Sequence, residues 1–298
     1  MLQLTERPEA LIVVGGGYVA VEYGHFFAAM GTKVTILEMA DRLVISEEPE
    51  IAETLKNEMS RGMSVHTGVQ AEAVKSKGHD VTVVASDLAS GGYREFTARS
   101  ILMAVGRRSN ADLLRVENTG VELDKRGFIK VDEYLETSKK NIFAVGDING
   151  QQMFTHVANV EASLAADNAI HGSKTKMDYS AAPHAVYSHP QIASVGMTEE
   201  AARKAHKILV GRARYSDVAQ GQAMMEETGF AKAIVEVDNG KILGFHIIGP
   251  YAPILIQEVI NAMASGGGIN QIQAGMHIHP AITELIPNVL ANLSDKIS

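Results

Sequence analysis

The chain has 298 residues, room for two or three domains, and its 46% hydrophobic and 21% charged content is that of a folded globular protein rather than a disordered one. A net charge of -8 argues against nucleic acid as a partner, because basic residues adjoin only in pairs such as Arg107-Arg108 and Lys139-Lys140. Cysteine is absent, which excludes disulfides, thiolate metal sites and redox chemistry by the chain's own thiols. No apolar run approaches the ~20 residues that span a bilayer, and the first residues contain no apolar signal-peptide core. No membrane association and a cytoplasmic address are therefore expected.

In chain order, Ala10 to Val14 reads as a strand, Tyr18 to Met30 as a helix closed by Gly31, and Lys33 to Glu38 as a second strand, the βαβ pattern of a parallel sheet. A helix from Pro49 to Arg61 follows. Alternation around Val81–Val84 and Tyr93–Thr97, with Gly91-Gly92 between, predicts a hairpin or meander. Further strands are expected at Ser100–Val105, Phe128–Val131 and Ile142–Val145, and a long helix at Val160–His171. The polar stretch Ser173–Ser180 reads as a boundary. Beyond it come strands at His184–Tyr187, Ala231–Val237 and Ile242–Ile248, with helices at Thr198–His206 and Ile254–Ala264. That mixture suggests an α+β domain on an antiparallel sheet.

Gly15-x-Gly17-x-x-Ala20 stands between the first strand and the first helix, where a dinucleotide fingerprint belongs. Gly15 permits the turn, Gly17 lets a pyrophosphate approach the backbone, and Ala20 allows close helix–sheet packing. Glu38 ends the second strand 21 residues after Gly17, where its carboxylate can accept from adenosine ribose hydroxyls and repel a 2′-phosphate. The expected cofactor is NAD rather than NADP, in a Rossmann-like α/β domain. Taken singly, Tyr18 reads as a packed aromatic and Glu22 as a surface charge.

Several motifs together carry a resemblance. Gly15-Gly16-Gly17-Tyr18-Val19-Ala20-Val21-Glu22 resembles the NAD-domain signature of the class I pyridine nucleotide-disulfide oxidoreductases. Thr137 to Asp147 resembles that family's second FAD motif. Val105-Gly106-Arg107-Arg108-Ser109-Asn110 resembles its crossover back to the FAD domain, with Ser109 where Pro is usual. Pro183 to Glu199 and Lys241 to Pro250 resemble its dimerisation domain, with Thr198 a plausible N-cap. His279-Pro280-Ala281-Ile282-Thr283-Glu284 resembles its H-P-T-x-S-E motif, with Ala281 and Thr283 as departures. The likeness extends over nearly the whole chain from Leu11 and is strongest to the dihydrolipoamide dehydrogenases.

The resemblance implies an NAD-binding domain at 1–105, the C-terminal segment of a FAD-binding domain at 106–177, and an α+β dimerisation domain at 178–298. It implies FAD beside NAD, a homodimer, and a small-molecule dithiol or lipoyl group as substrate. Tyr18 would cover the nicotinamide pocket and Glu22 would lie near the flavin. Gly106 would mark the crossover, Asp147 would meet the flavin's ribityl chain, and Thr155, His156 and Val157 would start a helix facing the flavin ring. His279 would exchange a proton with a thiol, oriented by Glu284, and Pro280 would start the helix that carries Glu284.

In such enzymes a FAD-binding segment with the redox cysteine pair precedes the part matched here. The chain is therefore expected to begin inside a longer parent and to be inactive alone. The readings kept open are a mycothiol-type or other disulfide reductase, a cysteine-free flavoprotein transhydrogenase, and a stand-alone NAD-binding and dimerising module of a split enzyme. A metal held by His277 and His279 is the least supported, for want of a third ligand.

Overall fold

The computed structural model describes residues 4–295. The chain divides into two units, Met1–Val105 with Pro183–Ser298, and Gly106–Ala182.

The first part of the first unit is built on β1 (Ala10–Val14), α1 (Tyr18–Ala29), β2 (Lys33–Glu38), α2 (Pro49–Met59), β3 (Ser64–Thr67), β4 (Val69–Lys77), β5 (Asp80–Asp87), β6 (Tyr93–Ala98) and β7 (Ser100–Met103). Strands run in the order β3-β2-β1-β7, and all three pairings are parallel. Leu11 to Val14 are all buried, because a parallel sheet is covered on both faces and its central strand has no polar side. One face packs on α1 and α2 through Ala20, Val21, Ile51 and Leu55. The other meets Val83, Ala85 and Ala98 of a second sheet, β4-β5-β6. Of the hairpin or meander expected there, a three-stranded meander forms. Its strand β4 escapes the hydrophobic pattern because most of it is exposed and polar, with only Val69 fully buried. The strand expected to reach Val105 stops at Met103.

The second unit is mostly irregular and contributes α3 (Thr155–His171). The strands expected at Phe128–Val131 and Ile142–Val145 do not form. Those residues make only isolated bridges, Leu123 with Ile129, Val131 with Thr137, and Glu136 with Phe143. Aspartates supply the physical reason. Asp124 Oδ1 accepts from the amides of Arg126 and Phe128, and Asp132 Oδ1 from those of Tyr134 and Glu136, so the backbone is tied into turns that interrupt a ladder. Helix α3 begins at Thr155, earlier than its apolar periodicity alone places it. Ala111, Val116, Val121, Ile129 and Ala144 make a small core.

The remainder of the first unit comprises β8 (Pro183–Val186), β9 (Ile192–Gly196), α4 (Glu199–Ala205), β10 (Ile208–Arg214), α5 (Ala219–Ala223), β11 (Phe230–Glu236), β12 (Ile242–Ile248), α6 (Ala252–Leu255), α7 (Gln257–Ala264), α8 (Ile269–Gln273) and α9 (Leu285–Ala291). Its antiparallel sheet has the order β10-β11-β12-β9-β8. Alternate residues such as Ala193, Val195, Ala231, Ala233, Phe245 and Ile247 face α7 and α9 in the largest apolar cluster. The residues between them face the other way. Thr198 caps α4, accepting from the Ala201 amide at 3.3 Å, as its sequence position suggests. The single helix expected at Ile254–Ala264 is instead two short ones, α6 and α7. Among the described residues no helix is long and apolar enough to cross a membrane.

Candidate dinucleotide and acid–base sites

Gly15, Gly17, Tyr18, Ala20 and Glu38 meet at the junction of β1, β2 and α1. Gly15 has φ +110°, and a Cβ there would lie 2.4 Å from the Ala104 carbonyl oxygen, so only glycine fits between the parallel strands. A Cβ on Gly17 would meet nothing within 4 Å, and no side chain caps α1. The helix start is thus open and carries amide donors and the positive end of the helix dipole, which suits a phosphate. Ala20 is fully buried against the sheet. A Cβ on Gly16 would come within 2.8 Å of Glu38 Cγ and Oε2, which sets that carboxylate against the glycine turn; its other oxygen accepts from the Ala40 amide at 2.6 Å. This open turn with an acid at its rim fits a dinucleotide with free ribose hydroxyls.

Tyr18 opens α1 and is held by residues the sequence did not single out. Its hydroxyl is 2.6 Å from Ser46 Oγ and 3.1 Å from Glu47 Oε1, and its ring stacks on His184 at 5.4 Å. Burial, and then the Glu47 charge, push the phenol's pKa well up, so it is a hydrogen donor. Glu47 lies two residues before Pro49, where the sequence predicts a helix to start; nothing local announces a buried acid there. Glu22, farther along α1, accepts from the Tyr187 amide at 2.9 Å.

In the second unit Gly106 opens the segment with φ +126°. The neighbouring Arg107 donates to Asp147 Oδ2 at 2.6 Å and to the Met153 carbonyl at 3.3 Å. Asp147 sits in the 3-10 turn Gly146–Asn149, about half-exposed. That turn is held from beneath by Glu161 of α3, which is fully buried and accepts from the Gly146 amide at 2.6 Å, Asn149 Nδ2 at 3.0 Å and the Tyr179 hydroxyl at 2.6 Å. Thr155 begins α3, His156 stacks against Phe154 at 5.7 Å, and Val157 is buried. Glu161 went unnoticed in the sequence because a helical glutamate ordinarily reads as a surface charge.

His279 and Glu284 are brought together. His279 Nδ1 lies 2.9 and 3.1 Å from the two carboxylate oxygens, and Glu284 Oε2 also accepts from the Ala281 amide at 3.1 Å. The hydrogen bond from His279, then that from Ala281, hold the Glu284 carboxyl below its ordinary range. A proton on Nδ1 leaves Nε2 as an acceptor on a ring that is 70% exposed, so it can receive a proton from outside the chain. Pro280 does not start the helix. Ala281 precedes a 3-10 turn, Ile282–Glu284, and α9 follows, because the Glu284 carboxylate folds back onto the Ala281 amide. His277 Nε2 is paired with Glu258 at 3.1 Å, on a different carboxylate from His279.

The model of the pyridine nucleotide-disulphide oxidoreductase family matches residues 1–162, and that of the dimerisation domain of the same family matches residues 182–290. A dihydrolipoyl dehydrogenase of Geobacillus stearothermophilus is 38% identical over 95% of the chain and 60% of its own length. A mycothione reductase of Mycobacterium tuberculosis is 35% identical over 98% of the chain and 64% of its own. Among solved structures, the copper(II) complex of the HOCl-induced flavoprotein disulfide reductase RclA of Escherichia coli superimposes with a TM-score of 0.86 at 28% identity, over 97% of the chain and 65% of that protein.

Proposed function

The chain belongs to the pyridine nucleotide-disulphide oxidoreductase family, and on that premise we propose that it carries the NAD-binding, flavin-contacting, proton-handling and dimerising parts of a dihydrolipoamide dehydrogenase-type enzyme. It spans about 60% of the length of its dihydrolipoyl dehydrogenase relative. Members of that family use FAD and NAD. Bound FAD and NAD would supply the passage of electrons from a dithiol to nicotinamide.

The chain's own residues do the rest. The open start of α1 and the Gly15–Gly17 turn bind the pyrophosphate of NAD. Glu38 accepts from the adenosine ribose and opposes a 2′-phosphate by charge repulsion. Asp147, oriented by Arg107, and the start of α3 at Thr155, His156 and Val157 are flavin-side contacts of the second unit, which Gly106 opens; Glu22 is a flavin-side residue of the first. His279 Nε2 takes the proton of a substrate-side thiol while Glu284 holds the opposite nitrogen. That thiol chemistry needs a disulfide which this chain, having no cysteine, does not supply. The C-terminal sheet and helices form a homodimer.

The uncapped α1 start with Glu38 at its rim carries the reading most directly. Titration of the purified chain with NADH and NADPH, followed by nucleotide fluorescence, is expected to show at least tenfold tighter NADH binding, reduced to near parity by Glu38→Ala. Equal affinities in the unaltered chain would overturn the NAD assignment. Lipoamide-dependent NADH turnover by the chain alone is expected to be nil. A mycothiol-type disulfide reductase is the second reading, supported by the mycothione reductase relative and by the fact that a His–Glu proton pair serves either disulfide.

A further inference from the structure

On the face of the antiparallel sheet turned away from α7 and α9, polar residues stand in register on all five strands. Arg212 of β10 pairs with Lys232 of β11, Lys232 with His246 of β12, His246 with Ser194 of β9, and Ser194 with His184 of β8. The segment Ser46–Glu50 faces this row, and its acids follow the order of the strands. Glu50 takes Arg212 at 3.0 Å and Lys232 at 2.6 Å. Glu48 takes Lys232 at 2.7 Å, with His246 Nε2 3.8 Å from its other oxygen. Glu47 takes Ser194 at 2.6 Å and His184 at 2.6 Å.

The Glu47 end of this row is where Tyr18 is fixed. The Glu47 side chain is fully buried, and its Oε2 is filled by Ser194, its Oε1 by His184 and the Tyr18 hydroxyl. Burial drives its carboxyl up, but the hydrogen bond and charge of His184, then Ser194, outweigh it and keep it below its usual range, an anion in place. Glu47 cannot follow Tyr18 if the ring moves, since two further side chains hold it. Tyr18 can leave at moderate cost, because His184 still satisfies Oε1. The Tyr18 hydroxyl is held by Glu47 at 3.1 Å and by Ser46 Oγ at 2.6 Å, and the bond to the buried anion, complete only with the ring in one position, is a latch.

We infer that Glu47 is a positioning residue that latches the Tyr18 ring beside the glycine turn, and so sets the cost of seating the nicotinamide half of the cofactor without touching it. This rests on the reading of that turn as the NAD site and of Tyr18 as the cover of its nicotinamide end. The adenosine and pyrophosphate contacts, Gly15, Gly17 and Glu38, have no hydrogen bond to Glu47, so the latch acts on one half of the ligand only.

The test compares NADH with ADP-ribose, which lacks nicotinamide, by titration calorimetry on the 298-residue chain. In Glu47→Gln, a neutral acceptor replaces the charged one, and NADH is expected to bind about three- to tenfold more tightly, ADP-ribose being unchanged. Tyr18→Phe keeps the ring and removes only the hydroxyl; it is expected to shift the ratio of the two affinities in the same direction, and Glu47→Gln added to it should shift the ratio no further. If Glu47→Gln does not fold, Tyr18→Phe is read against Ser46→Ala, which removes the hydroxyl's other partner: a shift that Ser46→Ala does not reproduce upholds the latch, and one that it reproduces in full overturns it. Both affinities moving together, or an unmoved ratio in Tyr18→Phe, overturns the latch while leaving the NAD site standing. Failure of the unaltered chain to bind either ligand overturns both.

Discussion

Among the described residues the first unit buries the carboxylates of Glu47 and Glu48 and the second that of Glu161, and Glu47 and Glu161 are satisfied in different ways. Glu161 accepts from a backbone amide, an amide side chain and a phenol, all neutral and all within 18 residues of it along the chain. Glu47 accepts from the Tyr18 hydroxyl, 29 residues away, and from His184 and Ser194, which are 137 and 147 away. The local acid is a staple beneath one turn, the Gly146–Asn149 turn that presents Asp147. The distant acid joins a loop to a sheet, and its neighbours Glu48 and Glu50 repeat the join strand by strand. Burial alone therefore does not say what a carboxylate is for; the sequence separation of its donors does.

The acids that join loop to sheet should make that join sensitive to pH. The Glu47, Glu50 and Glu199 carboxyls are all held below their ordinary value of 4.5, Glu199 at about 2, because hydrogen bonds from His184, Arg212 or Lys232 outweigh burial. A depressed folded pKa contributes stability that is fully present above the unfolded value and is lost as pH falls through the folded one. The largest effect expected is thus a steep decline in the urea midpoint of the first unit from pH 4.5 towards 2, followed by circular dichroism. A midpoint flat across that window would remove the charged row from the account of what joins loop and sheet.

Lys232→Met should come next. The ammonium lies 2.6 to 2.7 Å from Glu48, Glu50 and Glu199, and removing it leaves Glu48 buried and undercompensated. A loss of about 3–5 kcal/mol is expected by urea denaturation. Pairing it with Glu48→Gln should recover part of that loss, since the stranded charge goes too. Glu161→Gln should cost less, about 1–3 kcal/mol, because a neutral acceptor remains. Its signature is local: the Gly146 amide should exchange with deuterium at least tenfold faster while the first unit's thermal transition stays put.

The contrast also explains what the sequence disclosed. The glycine turn, β1, β2 and Glu38 are local in the chain, and short-range pattern is enough to read them. The His279–Glu284 pair likewise spans a few residues, and the structure closes it at 2.9 Å. The row Arg212, Lys232, His246, Ser194 and His184 is legible only once register is known, because each member looks like an isolated polar residue in an apolar strand. Glu47 and Glu48 were invisible for the same reason, their partners being set by packing between distant segments. In the second unit the failure was of the opposite kind. Phe128–Val131 and Ile142–Val145 have strand composition, but Asp124 holds the Phe128 amide, and Asp132 holds that of Glu136, the residue bridged to Phe143.

The smallest effect should come from the pair that most resembles a functional contact. Arg107 donates to Asp147 at 2.6 Å, yet both side chains are more than half exposed, so water and salt compete for each. Arg107→Ala is expected to change stability by less than about 1 kcal/mol in urea titration, and less again at high salt. Its consequence should lie in orientation instead, since without Arg107 the Asp147 carboxylate has no side-chain partner among the described hydrogen bonds and can rotate freely above the turn that Glu161 keeps rigid. Loss of several kcal/mol in Arg107→Ala would mean that the Asp147 turn is held from above as well as from below, and the separation of a buried staple from an exposed guide in this unit would have to be given up.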